Sequence, residues 1–259
     1  MSPALPEARQ PLVSVILPTR DRPRLLALAL EYYRLQTYAR RELIVVDDGE
    51  LFPADPAPIE ALGGRLIRVP TGTPTGSKLN IGVEQAHGAM CQKMDDDDWY
   101  APAFLERMVA AARDWQTEVC RPTLSFLLPF LFFEVARWEI RQSHRGSAPG
   151  ATLLFSRDAW ENRPFRPVSI DEDVWFLLDL RRWGAEVVPV RAWDCYLALR
   201  HRGSTSERGH IWTHQNLGRA LEDYLQERPL HNRTPEQMLP EFALKVYREL
   251  RQEILSGGK

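Results

Sequence analysis

The run "CQKMDDDDWYAP", Cys91 to Pro102, places four consecutive aspartates directly after a half-apolar stretch and directly before an aromatic pair. Adjacent carboxylates repel one another, so such a run needs a cation or several hydrogen-bond donors to be held in order. Oxygen-only ligation suits hard divalent ions such as Mg²⁺ or Mn²⁺. Two further acidic groups accompany it: Asp47 and Asp48 in "VVDDG", and Asp171, Glu172 and Asp173 in "IDEDVW". Three readings of the four-residue run compete. It is a solvated acidic turn, an EF-hand loop, or a site where carboxylates hold a metal bridging two phosphates. The EF-hand fails on its own spacing. Asp95, Asp97 and Glu106 fall at loop positions 1, 3 and 12, but position 6 is Tyr100 where glycine is required and Pro102 spoils the loop's central pairing.

The elements that must position these groups are legible in the apolar patterning. "LVSVILP" (Leu12 to Pro18) and "ELIVVDDG" (Glu42 to Gly49) are continuous, β-branched runs that predict buried strands. "GRLIRVP" (Gly64 to Pro70) and "AMCQKM" predict a third and a fourth. Between the first two, a helix is expected with Asp21 as cap, Pro23 in its first turn, and Leu25, Leu28, Ala29, Tyr32 and Leu35 on one face. "GSKLNIGVEQAHG" predicts another, with Leu79, Val83 and Ala86 inward and Gly88 as its stop. Strands alternating with helices give a mostly parallel, doubly wound sheet, and ligands collect beyond the carboxyl ends of its strands. Asp47–Asp48 and Asp95–Asp98 both fall at such ends.

Farther along, "AFLERMVAAARDW" predicts a helix and "ATLLFS" a strand. "SIDEDVWFLLDLRRWG" predicts a helix with acids in its first turn, arginines in its last and Gly184 as C-cap, and "AEVVPV" and "CYLALRH" two more strands. The twelve residues of "LSFLLPFLFFEV", Leu124 to Val135, fall short of the ~20 needed to span a bilayer. They predict a buried strand pair, with a membrane-touching edge as the alternative. In the tail, Thr234, Pro235 and Gln237 mark a helix start with a capping box. The stripe Leu239, Phe242, Val246, Leu250 and Ile254 that follows belongs to a helix packed on the domain, or to one that meets a membrane or partner.

Composition narrows the classes. A chain of 259 residues, 44% hydrophobic and 26% charged, is expected to form one large globular domain, or one domain plus a small appendage, and a net charge of −2 without a dense basic block argues against nucleic-acid binding. Cys91, Cys120 and Cys195 are widely spaced and lack any CxxC, which predicts buried thiols in a reducing compartment. "MSPALPEARQ" has no signal-peptide apolar stretch, so a cytoplasmic protein is expected, with the inner face of the membrane as a further location.

Taken together, "VSVILPTRDRP", "LQTY", "ELIVVDDG" and "GSKLNIGVEQAHGAMCQKMDDDDWYAP" resemble the nucleotide-binding half of the family 2 glycosyltransferases. The likeness is strong over residues 12–110 and continues more loosely through "PGATLLFSRDAW" and "DEDVWFLLDLRRWGAEVVPV" to "LRHRGSTS". It implies a GT-A fold over residues 1–259: a nucleotide-sugar half at 11–110, an acceptor and catalytic half at 111–206, and a helical extension at 207–259. The nucleotide-sugar contacts implied are Thr19 against the base, Asp48 accepting a hydrogen bond from it, Lys78 at the diphosphate, Asp95 or Asp96 reaching the ribose or the metal's water shell, and Pro18, Arg20 and Asn80 elsewhere on the nucleotide sugar. Asp97 is the implied metal ligand, joined by Asp95, with the register open by one residue. Asp98 is expected to cap the turn that follows. "GSKLN" departs from the family pattern, having Leu79 where arginine is usual. Lys78 is then expected either to neutralise the diphosphate or to be a solvated lysine, and Asn80 to fix the helix start or the loop beside it.

"IDEDVW" resembles the acidic motif whose aspartate is the catalytic base in inverting members, which makes Asp173 the base and Glu172 its neighbour. Acids also decorate helix N-termini for electrostatic reasons alone. His201 resembles a histidine that completes the metal shell in some members, with His210 and His214 as competitors and Arg200 and Arg202 able to clamp phosphates. The expected activity is metal-dependent, inverting transfer of a sugar, most often from a UDP-sugar, to an acceptor hydroxyl on a carbohydrate, lipid-linked or protein acceptor. A sugar-1-phosphate nucleotidyltransferase would need a glycine-rich loop where this chain has "PTRDRPR", and a non-catalytic nucleotide-sugar binder would not need all three acidic sites. Trp138 and Trp160 are either core residues or sugar-stacking walls.

Overall fold

The computed structural model describes residues 10–114, 123–125, 130–143, 149–190, 194–201 and 230–256. In chain order these form β1 (Val13–Thr19), α1 (Pro23–Arg34), β2 (Arg41–Asp47), α2 (Pro56–Glu60), β3 (Arg65–Arg68), α3 (Thr75–Glu84), β4 (Met90–Lys93), β5 (Trp99–Tyr100) and α4 (Phe104–Asp114). The second half contributes β6 (Thr123–Ser125), β7 (Leu131–Glu134), β8 (Glu139–Gln142), β9 (Leu154–Ser156), α5 (Arg157–Asn162), α6 (Glu172–Trp183), β10 (Val187–Pro189), β11 (Tyr196–Arg200), α7 (Pro235–Met238) and α8 (Glu241–Ser256). Cys120, Arg202, His210 and His214 lie outside the described residues.

Seven strands make the main sheet in the order β10-β6-β9-β4-β1-β2-β3. All its pairs are parallel except those of β9, which runs against β4 and β6. Every residue of β1 is buried, as a continuous apolar run covered on both faces requires. On one side α1 buries Leu25, Leu28, Ala29 and Tyr32 as its periodicity predicts. On the other, α3 comes so close to the sheet that a Cβ on Gly82 would sit 2.5 Å from Ile16 Cγ2.

A second, four-stranded sheet, β5-β11-β7-β8, grows from the end of the acidic run. Here β5 pairs antiparallel with β11, setting Tyr100 opposite Tyr196 and Trp99 opposite Leu197. Local chemistry gave no sign of this pairing, which joins strands almost a hundred residues apart.

Several local expectations are corrected. Asp21 does not cap α1. It adopts a left-handed backbone (φ 53°), and its Oδ1 accepts the N–H groups of Glu50, Leu51 and Phe52 at 2.8–2.9 Å. These bonds, that of Phe52 foremost, lower its pKa. α3 ends at Glu84, before Gly88, whose Cβ would lie 2.6 Å from Ser14 Oγ. That glycine is therefore there for close backbone approach at the entry to β4. The apolar window at 124–135 supplies no strand pair: β6 joins the main sheet and β7 the second.

The tail has the predicted capping box, with Thr234 N–H donating to Gln237 Oε1 at 2.9 Å. Its helix breaks around Pro240 into α7 and α8, as loss of a backbone donor there dictates. Ala243, Leu244 and Tyr247 are the buried face of α8, one step from the stripe predicted, with Val246, Leu250 and Ile254 packed at its margin and Phe242 37% exposed. The Tyr247 hydroxyl meets that of Tyr32 at 2.9 Å, and Arg24 holds Glu253 through two 2.7 Å bonds. α8 is thus fastened to α1. No helix among the described residues is long and apolar enough to cross a membrane.

Candidate active site

The carboxyl ends of β1, β2 and β4 lie side by side, because β1 pairs with both its neighbours in parallel register. Beyond them opens a cleft of about 560 Å³. Its wall holds Pro18, Thr19, Arg20 and Arg22 from the end of β1, Asp48 from β2, Lys78 from α3, Lys93 and Asp95–Asp97 from β4, and Glu172 from α6. The N-terminus of α3 also faces in, through Thr75 and Lys78, and such a terminus favours anions.

The paired aspartates of "VVDDG" part company here. Asp47 is turned away from the cleft, its Oδ2 accepting Ala54 N–H at 2.8 Å and Arg68 Nη1 at 2.9 Å. Asp48 reaches the cleft, where Lys78 Nζ donates to its Oδ1 at 2.6 Å and Gly72 N–H to its Oδ2 at 3.1 Å. Lys78 is 6% exposed and also donates to the carbonyl of Thr19, so the solvated-lysine alternative is overturned. Asn80, expected among the nucleotide-sugar contacts, is not in the cleft wall. Its side-chain amide brackets Phe165, donating to the carbonyl at 2.8 Å and accepting the N–H at 3.0 Å, and it accepts Trp160 Nε1 as well. It fixes the loop beside α3. Trp160 is thereby accounted for as a packed residue, and so is Trp138, edge-on to Phe133 and donating to Glu236.

The four aspartates of the run face different ways. Asp96 is 5% exposed and accepts Thr19 Oγ1 at 2.7 Å and Arg22 Nη1 at 3.0 Å. Burial pushes its pKa up, with Arg22 opposing. Asp97 Oδ2 accepts the same Arg22 Nη1 at 3.0 Å and lies 3.1 Å from His201 Nε2. Burial alone would raise its pKa, but the His201 hydrogen bond and the Arg22 charge hold the carboxyl well below the usual range. Asp95 faces Lys93 Nζ at 3.3 Å. Asp98 is no helix cap: its two oxygens take the Tyr196 hydroxyl and the Leu199 N–H, tying the run to β11, and burial raises its pKa strongly. Asp95, Asp97 and Asp98 can each bring an oxygen within 4.8 Å of the others. With both Asp98 oxygens committed inward, Asp95 and Asp97 are the pair in the cleft wall. Their carboxylate oxygens are donors that suit Mg²⁺ or Mn²⁺.

Lys93 and Arg22 were not anticipated. Lys93 sits beneath the cleft, bonding Glu172 Oε1 at 3.0 Å. Burial pulls its pKa down, yet Asp95, Glu172 and Asp173 outweigh that and hold it well above normal. The hint in sequence was a lysine at the last position of a buried strand, next to four acids. Glu172 lines the cleft, whereas Asp173, partly exposed, lies next to it against Gly150, with Oδ1 accepting Val174 N–H at 2.8 Å. A Cβ on Gly150 would lie 1.9 Å from Asp173 Oδ2. Gly150→Ala should therefore displace the Asp173 carboxylate. The added methyl would also lie 2.5 Å from Asp173 Cβ, so the start of α6 must give way, and the expected result is a lowered melting temperature. An unchanged melt would show that the helix start absorbs the methyl.

The family model for glycosyl transferase family 2 matches residues 14–143, which spans β1 through β8 and every strand end just described. The chain belongs to that family. Among sequence relatives, this family 2 glycosyltransferase chain is 31% identical over 101 residues to an uncharacterized glycosyltransferase of Rickettsia bellii, a match covering 38% of this chain and 15% of that protein. Its fold is similar to that of the mannosyltransferase PcManGT from Pyrobaculum calidifontis, solved with GDP-Man and Mn²⁺. The TM-score is 0.57 at 17% identity, over 96% of this chain and 73% of that one. It is also similar to S. aureus TarS solved with UDP-GlcNAc, at a TM-score of 0.56 and 15% identity over 77% and 61% of the two chains. At these identities the likeness is one of fold, and the architecture is GT-A.

Proposed function

We propose that this chain transfers a sugar from a nucleoside-diphosphate sugar to an acceptor hydroxyl, with inversion at the anomeric carbon and a divalent ion at Asp95 and Asp97. The observation that carries the reading is the convergence of three adjoining strand ends on one cleft, where Asp48, the Asp95–Asp97 run and Glu172 stand with Lys78, Lys93 and Arg22. That is an arrangement for a diphosphate and its counter-charges. UDP-sugars are the first donors to test, and GDP-sugars the second. Asp97 and Asp95, with His201 beside them, would hold Mn²⁺ or Mg²⁺, which supplies charge stabilisation for the departing diphosphate. Pro18, Thr19 and Arg20 would flank the base that Asp48 engages.

The acceptor oxygen forms its bond to the anomeric carbon as the bond from that carbon to the β-phosphate oxygen breaks. The electron pair leaves with the nucleoside diphosphate, and the acceptor proton passes to the base. Glu172 is committed to Lys93, so the base role falls to Asp173. A positioned carboxylate typically contributes ~10²–10⁴-fold.

The test is release of nucleoside diphosphate from UDP- and GDP-sugars in the presence of Mn²⁺. Asp173→Asn should cut the rate by about 10²–10⁴-fold while thermal shift by UDP or GDP persists. An unchanged rate would move the base elsewhere, and failure of every nucleotide sugar to shift the melting temperature would end the transferase reading.

A further inference from the structure

Arg22 stands where a cation belongs. A single guanidinium nitrogen, Nη1, lies 3.0 Å from Asp96 Oδ1 and 3.0 Å from Asp97 Oδ2. The residue lies one position before α1, and its carbonyl accepts Leu26 N–H at 2.9 Å. The backbone is thus anchored, while the side chain spans from β1 to the acidic run and borders the cleft. Without such a charge, adjacent buried carboxylates would repel one another. The oxygen that Arg22 holds on Asp97 is also the one facing His201 at 3.1 Å. An ion held by Asp97 and His201 together would therefore take this oxygen.

A Mg²⁺ ion bound directly to a carboxylate oxygen sits at about 2.0–2.1 Å. A guanidinium nitrogen at 3.0 Å from that same oxygen would stand within about 5 Å of the ion, where like charges disfavour one another. Building on the proposed function, we infer that Arg22 and the divalent ion compete for Asp97 Oδ2, so the ion is bound most tightly once the guanidinium has left that oxygen. A nucleoside diphosphate favours the exchange by offering the released guanidinium a second anion in the cleft. Metal and nucleotide binding are then coupled through one side chain, and by linkage each raises the affinity of the other equally. Arginine suits this task because one nitrogen bridges the paired acids here, while the planar fork also matches a phosphate.

Binding of Mn²⁺ alone, followed by the electron paramagnetic resonance of the free ion, tests this in wild type, Arg22→Met and Arg22→Lys. Arg22→Met should bind Mn²⁺ about tenfold more tightly, the usual lower bound for removing a charge within ~4–6 Å. In the same variant, UDP or GDP should raise Mn²⁺ affinity less than in wild type. Arg22→Lys, which keeps a positive charge, should stay near wild type. Equal or weaker Mn²⁺ affinity in folded Arg22→Met overturns the exchange, as does a wild-type Mn²⁺ affinity that nucleotide leaves unchanged although nucleotide binds. If neither nucleotide binds, the donor reading fails on its own, and Mn²⁺ affinity in the absence of nucleotide still decides whether Arg22 competes.

Discussion

Replacing Asp97 with asparagine should abolish most of the turnover, lowering it by about 10²–10³-fold, the cost of removing one preorganised electrostatic group from a transition state. The change is nearly isosteric, so packing survives and charge alone is lost. Asp97 is the carboxylate that His201 and Arg22 hold ionised against the pull of burial. Its depressed pKa means the charge, and the stability that goes with it, is fully present at neutral pH and lost only as pH falls through the folded value. An amide there cannot serve as an anionic ligand. Mn²⁺ titration of the Asp97→Asn protein should therefore show the ion's affinity falling together with the rate. A rate loss with wild-type Mn²⁺ affinity would place the ion on another member of the run and reduce Asp97 to a partner of Arg22 and His201.

What the sequence made legible follows the reach of local chemistry. Apolar runs located β1, β2 and β4, the last two ending in aspartates, and parallel pairing then had to bring Thr19, Asp48 and the acidic run together. The orientation of each acid was not legible, because it depends on cations from other elements. Lys93 is committed to Glu172, which lies 79 residues away, and Arg22 to Asp96, which lies 74 away. His201 was named only through resemblance. It reaches Asp97 because Tyr196 pairs with Tyr100, a register that no local pattern encodes. Asn80 was open two ways, as a nucleotide-sugar contact implied by resemblance and as a fastener of the loop beside α3, and its bonds to the Phe165 backbone support the second.

Lys93→Met should be the most destabilising single change at the site. Lys93 is 3% exposed, and its ammonium is the shared partner of Asp95 and Glu172. Removing one partner of a buried ion pair costs about 3–5 kcal/mol because it strands the other charge. In a chain of this size that corresponds to a Tm lower by roughly 6–20 °C. The loss should depend on pH in a set direction. Burial already raises the pKa of Glu172, with Lys93 opposing, so without the lysine that pKa climbs further. The folded variant then binds a proton that the unfolded chain does not, and its stability falls as pH rises above the ordinary glutamate pKa of about 4.3. The deficit relative to wild type should accordingly be largest near pH 8 and shrink toward pH 5. Glu172→Gln introduced into Lys93→Met should recover part of it at pH 8, since a neutral amide replaces the stranded charge. Denaturant melts of the single and double variants at the two pH values decide the matter. If the deficit is the same at both, what Lys93 contributes is the packing of its aliphatic stem, and the charge balance around the cleft rests on Arg22 and Lys78.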